Sequence, residues 1–128
     1  IMYVNGNIRR PFIENEPYQY LKGNVEGYKK YCKYHLDCGL PVMSIERFES
    51  LKKSIEENGY DERYIIIVNN QNELMDGQHR AACLCYKLGE DAYIKVLKIR
   101  FISIKETIKK VLPYSVWQQI KKARNIIR

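Results

Sequence analysis

The sequence predicts an α+β fold: a small mixed β-sheet with helices packed on it, followed by amphipathic helices at the C-terminal end. Three observations lead to this prediction. Residues 64–68 form an apolar, mostly β-branched run that is typical of a buried strand. Segments with apolar residues at helical spacing lie on both sides of this run. A polar turn, a short apolar stretch and then Gly77 follow it, which indicates strand, turn, strand and helix in that order.

The first third of the chain is predicted to be an extended arm followed by a helix. Residues 1–17 are polar and interrupted by two prolines, so an arm or a short strand is expected there. Residues 25–37 carry apolar side chains at helical spacing, and Asn24 before them suits an N-cap. Gly39 ends this predicted helix.

The central part is predicted to combine helices with strands. Ser44 is the expected N-cap of a helix that Gly59 closes, with one apolar stripe facing the core. Two more strands and another helix are predicted around the strand at 64–68: strands over 73–75 and 92–99, and a helix over 78–88.

The C-terminal segment differs from the rest of the chain in pattern. Two amphipathic helices are predicted over 103–111 and 114–127, and Pro113 separates them. The chain then divides into three parts: an N-terminal arm and helix packed on the domain (1–43), a core (44–102) and a basic amphipathic tail (103–128).

The net charge of +7 is concentrated at the C-terminal end. Residues 98–128 hold nine basic side chains and one acidic one, whereas residues 1–97 hold thirteen basic and fourteen acidic ones. A basic amphipathic segment suits an anionic membrane surface or nucleic acid as a partner. It equally suits a helix that packs its apolar face on the domain and exposes its Lys and Arg, so both interpretations stay open.

Cysteine usage and hydropathy predict a cytoplasmic protein. The four cysteines include no C-x-x-C pair, so reduced thiols are expected. Cys32, His35 and Cys38 lie loosely on one helical side, but their spread does not suit tetrahedral zinc. No run of 18 apolar residues and no secretory leader is evident, although a start at Ile1 leaves room for an upstream piece. With a lipid-binding tail, the protein would lie at the inner face of the membrane.

The stretch Asp76-Gly77-Gln78-His79-Arg80 carries the strongest chemical signal. Gly77 lets a ligand approach the backbone, and the N–H groups after it are the free donors of a helix start. Arg80 can contact two phosphate oxygens, and His79 can donate to a phosphate or act as an acid or base near neutral pH. Asp76 can hold magnesium or accept a proton from a hydroxyl. In the alternative interpretation, Asp76 only caps the helix, and His79 and Arg80 are surface residues.

The span from about Ser44 to Ile99 resembles the ParB N-terminal domain/sulfiredoxin superfamily. The matching features are the helix 45–59, the strand 65–68, residues 75–82, Leu88-Gly89 and the strand 92–99. The box at 76–80 is similar to the Asp-Gly-x-His-Arg box of the free-serine kinases of this superfamily. The resemblance implies that four residues contact nucleotide phosphates, namely Gly77, Gln78, His79 and Arg80. It also implies that Asp76 lies near the metal or the attacking hydroxyl.

The chain departs from other members of the superfamily at the box. In sulfiredoxin a nucleophilic Cys stands where this chain has Gln78, so sulfinic-acid repair is not expected. Gln78 and His79 also replace the acidic and second Arg positions of the ParB box, which argues against a CTP-dependent clamp.

The residues and the resemblance together predict a nucleotide-binding protein. The favoured function is a phosphotransferase that uses ATP or ADP (or CTP) with Mg²⁺ and acts on a small hydroxylated molecule. Asp76 and His79 are the expected catalytic residues, with Asp76 also at the metal. Candidates for a further acid–base carboxylate are Glu46, Glu49, Asp61 and Glu62. The alternative is a non-catalytic, ParB-like module that binds nucleotide or nucleic acid.

Overall fold

The computed structural model describes residues 1–5, 8–102, 115–116, 118–119 and 122, and confirms the α+β class. Its strands are β1 (Met2–Asn5), β2 (Ile8–Pro11), β3 (Ile67–Asn69), β4 (Leu74–Asp76) and β5 (Leu97–Ile99). Its helices are α1 (Glu16–Leu21), α2 (Val25–Asp37), α3 (Ile45–Asn58) and α4 (Gln78–Leu88), with a short 3₁₀ turn at Phe12–Glu14.

The described strands form two small sheets that contact each other near the turn between β3 and β4. β1 and β2 form an antiparallel hairpin. The second sheet has the order β4-β3-β5, with β3 antiparallel to β4 and parallel to β5, so the predicted mixed sheet is confirmed. The amide of Met2 donates to the carbonyl of Asn72 at 2.9 Å, which attaches the hairpin to the turn between β3 and β4.

Three helices lie where the sequence predicts them, because their end signals are local. The Asn24 side chain accepts from the amide of Gly27 at 3.0 Å and caps α2. The Ser44 hydroxyl accepts from the amide of Arg47 at 3.2 Å and caps α3. Gly59, with φ of 75°, ends α3 in a conformation that favours glycine.

Two of the three predicted strands are shorter in the structure, because strand pairing begins only at Ile67 and Leu97. β3 begins three residues later than the predicted strand, and β5 begins five residues later. Ile66 and Val68 are buried, whereas Tyr64 and Ile65 are 56% and 45% exposed. The prediction of a buried strand over 64–68 is therefore wrong for residues 64 and 65, which are exposed and precede β3.

The N-terminal segment is more regular than the predicted arm. Besides the hairpin, it contains α1, which the sequence analysis did not predict. Asn15 is fully buried, and its side-chain oxygen accepts from the amide of Tyr18 at 2.9 Å, which caps the helix. Pro17 stands in the first turn, where no N–H is needed. Because α1 packs on both α2 and α4, the N-terminal segment lies against the central part.

The core lies between the helices and one face of the larger sheet. Three residues are completely buried, namely Tyr28 of α2, Phe48 of α3 and Ile66. The ring centres of Tyr28 and Phe48 are 5.3 Å apart. Ala81 and Ala82 of α4 are also buried. These small side chains allow α4 to approach its neighbours closely.

The predicted tail helices lie mostly outside the described residues. Within 103–128, residues 115–116, 118–119 and 122 are described, and they are helical. In the described part of the chain, no helix combines the length and the apolar character needed to cross a bilayer. The division of the chain at residues 43 and 102 stays a prediction.

Candidate functional site

Gly77 shapes the start of α4. Its φ of 87° and ψ of 27° place it in the left-handed region, which favours glycine. A Cβ at this position would lie 3.1 Å from Cγ1 and 3.2 Å from Cα of Ile66. The start of α4 therefore lies directly against the residue that precedes β3, and a larger residue would push the two apart.

The first turn of α4 has no capping side chain. The N-cap is Gly77, and the backbone N–H groups of Gln78, His79 and Arg80 have no hydrogen-bond acceptor among the described residues. Free N–H groups at the positive end of the helix dipole attract an oxyanion. The helix start predicted from the sequence is therefore present and open.

Asp76, Gly77 and Gln78 line one cleft of about 250 Å³, which we name the α4 cleft. Asp76 is exposed, and one of its carboxylate oxygens accepts from the amide of Gly77 at 2.8 Å. Gln78 donates from Nε2 to the hydroxyl of Tyr31 at 2.8 Å. Its Oε1 is buried with no hydrogen-bond partner in the described part of the chain. The other walls are Val4, Tyr31, His35, Leu74 and Met75.

His79 faces the core rather than a cleft. Its Nε2 lies 2.8 Å from the hydroxyl of Tyr28, and that hydroxyl donates to the carbonyl of Met43 at 2.8 Å. Since a carbonyl can only accept, Nε2 carries the hydrogen and donates to Tyr28. The ring contacts Phe48 edge-on at 5.0 Å, and burial lowers the pKa of His79 to about 4. This environment favours a positioning role for His79 over the predicted acid–base role near neutral pH.

Arg80 lies in a different cleft, of about 710 Å³, which we name the α3 cleft. Positions 78 and 80 are about 200° apart around a helix, which explains why their side chains line separate clefts. The guanidinium carbon of Arg80 lies 4.8 Å from the centre of the Tyr64 ring. The structure thus brings Asp76, Gly77 and Gln78 together and sets Arg80 apart from them.

The candidate carboxylates outside the box are exposed or engaged. Glu49 accepts from the hydroxyl of Tyr20 at 2.6 Å. Asp61 lies 2.7 Å from Arg63, and hydrogen bonds from Arg63 lower the pKa of Asp61. Glu62 pairs with a lysine at 3.1 Å. Glu46 is exposed in the first turn of α3. None of the four lines the α4 cleft.

The described residues contain no group of three His, Cys, Asp or Glu side chains that could hold a metal ion. Asp76 offers one carboxylate oxygen beyond the one bonded to Gly77. A single carboxylate suits Mg²⁺ only when nucleotide phosphates and waters supply the other ligands.

Sequence reasoning missed the tyrosines that support the box. Tyr28 and Tyr31 lie one turn apart on α2 and bond the side chains of His79 and Gln78, respectively. Tyr64 stacks on Arg80. The available signal was the count of eleven tyrosines and the spacing of two of them on one predicted helix.

No family model, curated protein or solved structure matches this chain. The structure shows an α+β fold, and the ParB/sulfiredoxin resemblance stays a prediction.

Proposed function

We propose that this protein binds the phosphate groups of a nucleotide at the start of α4 and transfers a phosphoryl group from ATP or ADP to a small hydroxylated molecule. The observation that carries the proposal is the open first turn of α4, with three free N–H groups and a glycine N-cap. The resemblance of the box to that of the free-serine kinases supports ATP or ADP as the nucleotide.

The residues around the start of α4 have distinct parts in this proposal. Gly77 admits the phosphate to the backbone, and the amides of residues 78–80 hold its oxygens. The Tyr31 hydroxyl fixes the side chain of Gln78 at the edge of the cleft. Asp76 would hold Mg²⁺, which offsets phosphate charge when it is bound with the nucleotide, or would accept the proton of the attacking hydroxyl. His79 holds the first turn of α4 on the core through Tyr28.

A second candidate function is a non-catalytic module that binds nucleotide or nucleic acid. Two observations favour it. Glu49, Asp61 and Glu62 are engaged elsewhere, and the low pKa of His79 keeps its ring neutral at neutral pH. Among the described residues, Asp76 is then the sole carboxylate that lines the α4 cleft. Nucleotide turnover with a pool of small hydroxylated metabolites separates the two functions, because a module binds nucleotide without consuming it.

Binding of ATP, ADP and CTP to a Gly77→Ala variant, measured by calorimetry with and without Mg²⁺, tests the proposal. We expect affinity to fall about ten-fold or more, because the added Cβ displaces the start of α4 from Ile66. Gly39→Ala is the matched control, since Gly39 also has a positive φ (67°) but open space around its Cβ position. Equal nucleotide affinity in the two folded variants would reject the start of α4 as the phosphate site.

The remaining partner predictions concern residues 103–128, which lie mostly outside the described residues. Binding of this segment to an anionic membrane surface or to nucleic acid, and a cytoplasmic location, therefore stay predictions.

A further inference from the structure

The α3 cleft has the size and the walls of a small-molecule site. It lies between the C-terminal half of α3, the loop of residues 59–64 and Arg80. Its volume of about 710 Å³ falls within the range of small-molecule sites in proteins, roughly 300–1,000 Å³. Leu51 and Ile55 contribute apolar wall, and Ser54 and Asn58, one helical turn apart, contribute polar groups.

Arg80 places an unpaired positive charge in this cleft. No hydrogen bond or ion pair joins its guanidinium to a described residue, although its charge contributes to the lowered pKa of Asp61. The guanidinium carbon lies 4.8 Å from the centre of the Tyr64 ring, a cation–π contact that restricts the positions of the guanidinium. Its N–H groups are then available for two-point contact with an oxyanion.

The other charged side chains that line the α3 cleft are paired. Asp61 accepts from Nε of Arg63 at 3.0 Å and from its terminal nitrogen at 2.7 Å. Glu62 lies 3.1 Å from the ammonium group of Lys95. The lining thus holds two acidic groups, Asp61 and Glu62, and two basic ones, of which Arg80 is the one without an ion pair to a described residue.

We infer that the α3 cleft binds a small molecule through an oxyanion group, a carboxylate or a phosphate, held by Arg80. The hydroxyl or amino groups of that molecule face Ser54 and Asn58. Its identification as the phosphoryl acceptor rests on the proposed function, whereas binding to the cleft does not.

Titration of the full ¹⁵N-labelled chain with acetate and, separately, with inorganic phosphate tests the inference by NMR. We expect the Nε–H signal of Arg80 and the amide signals of residues 59–64 to shift with at least one probe. A stronger response to acetate identifies a carboxylate ligand, and a stronger response to phosphate identifies a phosphate ester. No response to either probe overturns the inference.

Variants identify the group that binds. Arg80→Gln should weaken probe binding about ten-fold or more, because the two-point contact is lost. Tyr64→Leu should weaken it less, because the charge stays but its orientation is lost. Arg47→Gln removes the same charge from an exposed position of α3 outside the cleft and should bind the probe as the parent does. Equal binding by the Arg80 and Arg47 variants overturns the inference.

The two proposals fail separately. Gly77→Ala should lose nucleotide binding and keep the acetate or phosphate response at Arg80. If Arg80→Gln instead abolishes nucleotide binding, and the parent shows a response to phosphate at both Gly77 and Arg80, the two clefts act as one phosphate site. That result overturns the inference while it supports the proposed function.

Discussion

His79 and Arg80 are neighbours in the chain and have opposite environments. The imidazole of His79 lies among Tyr28 and Phe48, bonded to a hydroxyl that is itself bonded to a carbonyl. The guanidinium of Arg80 lies in an open cleft, over the Tyr64 ring, and forms no ion pair or hydrogen bond with a described residue. A step of one residue, about 100° around the helix, therefore separates a structural group from one that is free to bind a ligand.

This difference shows that a polar motif need not act as a unit. The sequence predicts that residues 76–80 form one phosphate-binding box. In the structure, the side chains of this box lie in the α4 cleft, in the core and in the α3 cleft. What the members of the box share is the backbone, because the N–H groups of residues 78–80 all point out of the same helix end.

The largest expected effect is the pH dependence that His79 gives to stability. The unfolded chain takes up a proton near pH 6.5, whereas burial lowers the pKa of His79 to about 4 in the folded chain. The free energy of unfolding is thus highest above pH 6.5 and falls as the pH drops towards 4, by up to ~3 kcal/mol from this group. Urea unfolding of the parent, His79→Gln and His35→Gln between pH 7 and 4.5 measures it. The dependence of the unfolding free energy on pH should weaken in His79→Gln and not in His35→Gln. An unchanged dependence in His79→Gln contradicts the buried, neutral ring of His79.

The hydroxyl of Tyr28 should have the next largest effect. Tyr28→Phe leaves the Nε2–H of His79 and the carbonyl of Met43 without their partner, which costs about 1–3 kcal/mol. Tyr34→Phe removes the same atom from a residue of α2 that is 64% exposed, and should cost almost nothing. Urea unfolding at pH 7 compares the two. A similar loss of unfolding free energy in both variants would contradict the two hydrogen bonds of the Tyr28 hydroxyl.

Removal of the Arg80 charge should have the smallest effect on stability. Arg80→Gln loses a stacking contact with a half-exposed ring, which is worth about 0.5 kcal/mol. The pH dependence of unfolding should stay that of the parent. A loss of about 2 kcal/mol or more in urea unfolding would show that Arg80 has an internal partner, and the contrast with His79 would fail.

The parts of the fold that could be predicted are those with local signals. Asn24, Ser44 and Gly59 mark helix ends through contacts within a few residues, and the helices begin and end there. Gly77 likewise marks the start of α4. α1 also has local signals, Asn15 as its N-cap and Pro17 in its first turn, but the same proline equally indicates an interruption, and an arm is predicted there.

The candidate site could be predicted only as a backbone feature. The open helix start follows from Gly77 and the residues after it. The direction of His79 depends on Tyr28, 51 residues earlier, and the orientation of Arg80 depends on Tyr64, in the loop before β3. Such long-range contacts decide which polar residue is buried, and no spacing rule within the box contains them.

The close approach of Gly77 to Ile66 has a mechanical consequence. Ile66 also accepts, through its carbonyl, the amide of Leu97 at 2.9 Å, so one residue joins the beginning of α4 to the edge strand β5. Gly77 has no side chain, so the backbone at the start of α4 lies close to Ile66, and Ile66 is bonded to β5. We therefore expect a substitution that displaces the start of α4 to displace β5 as well.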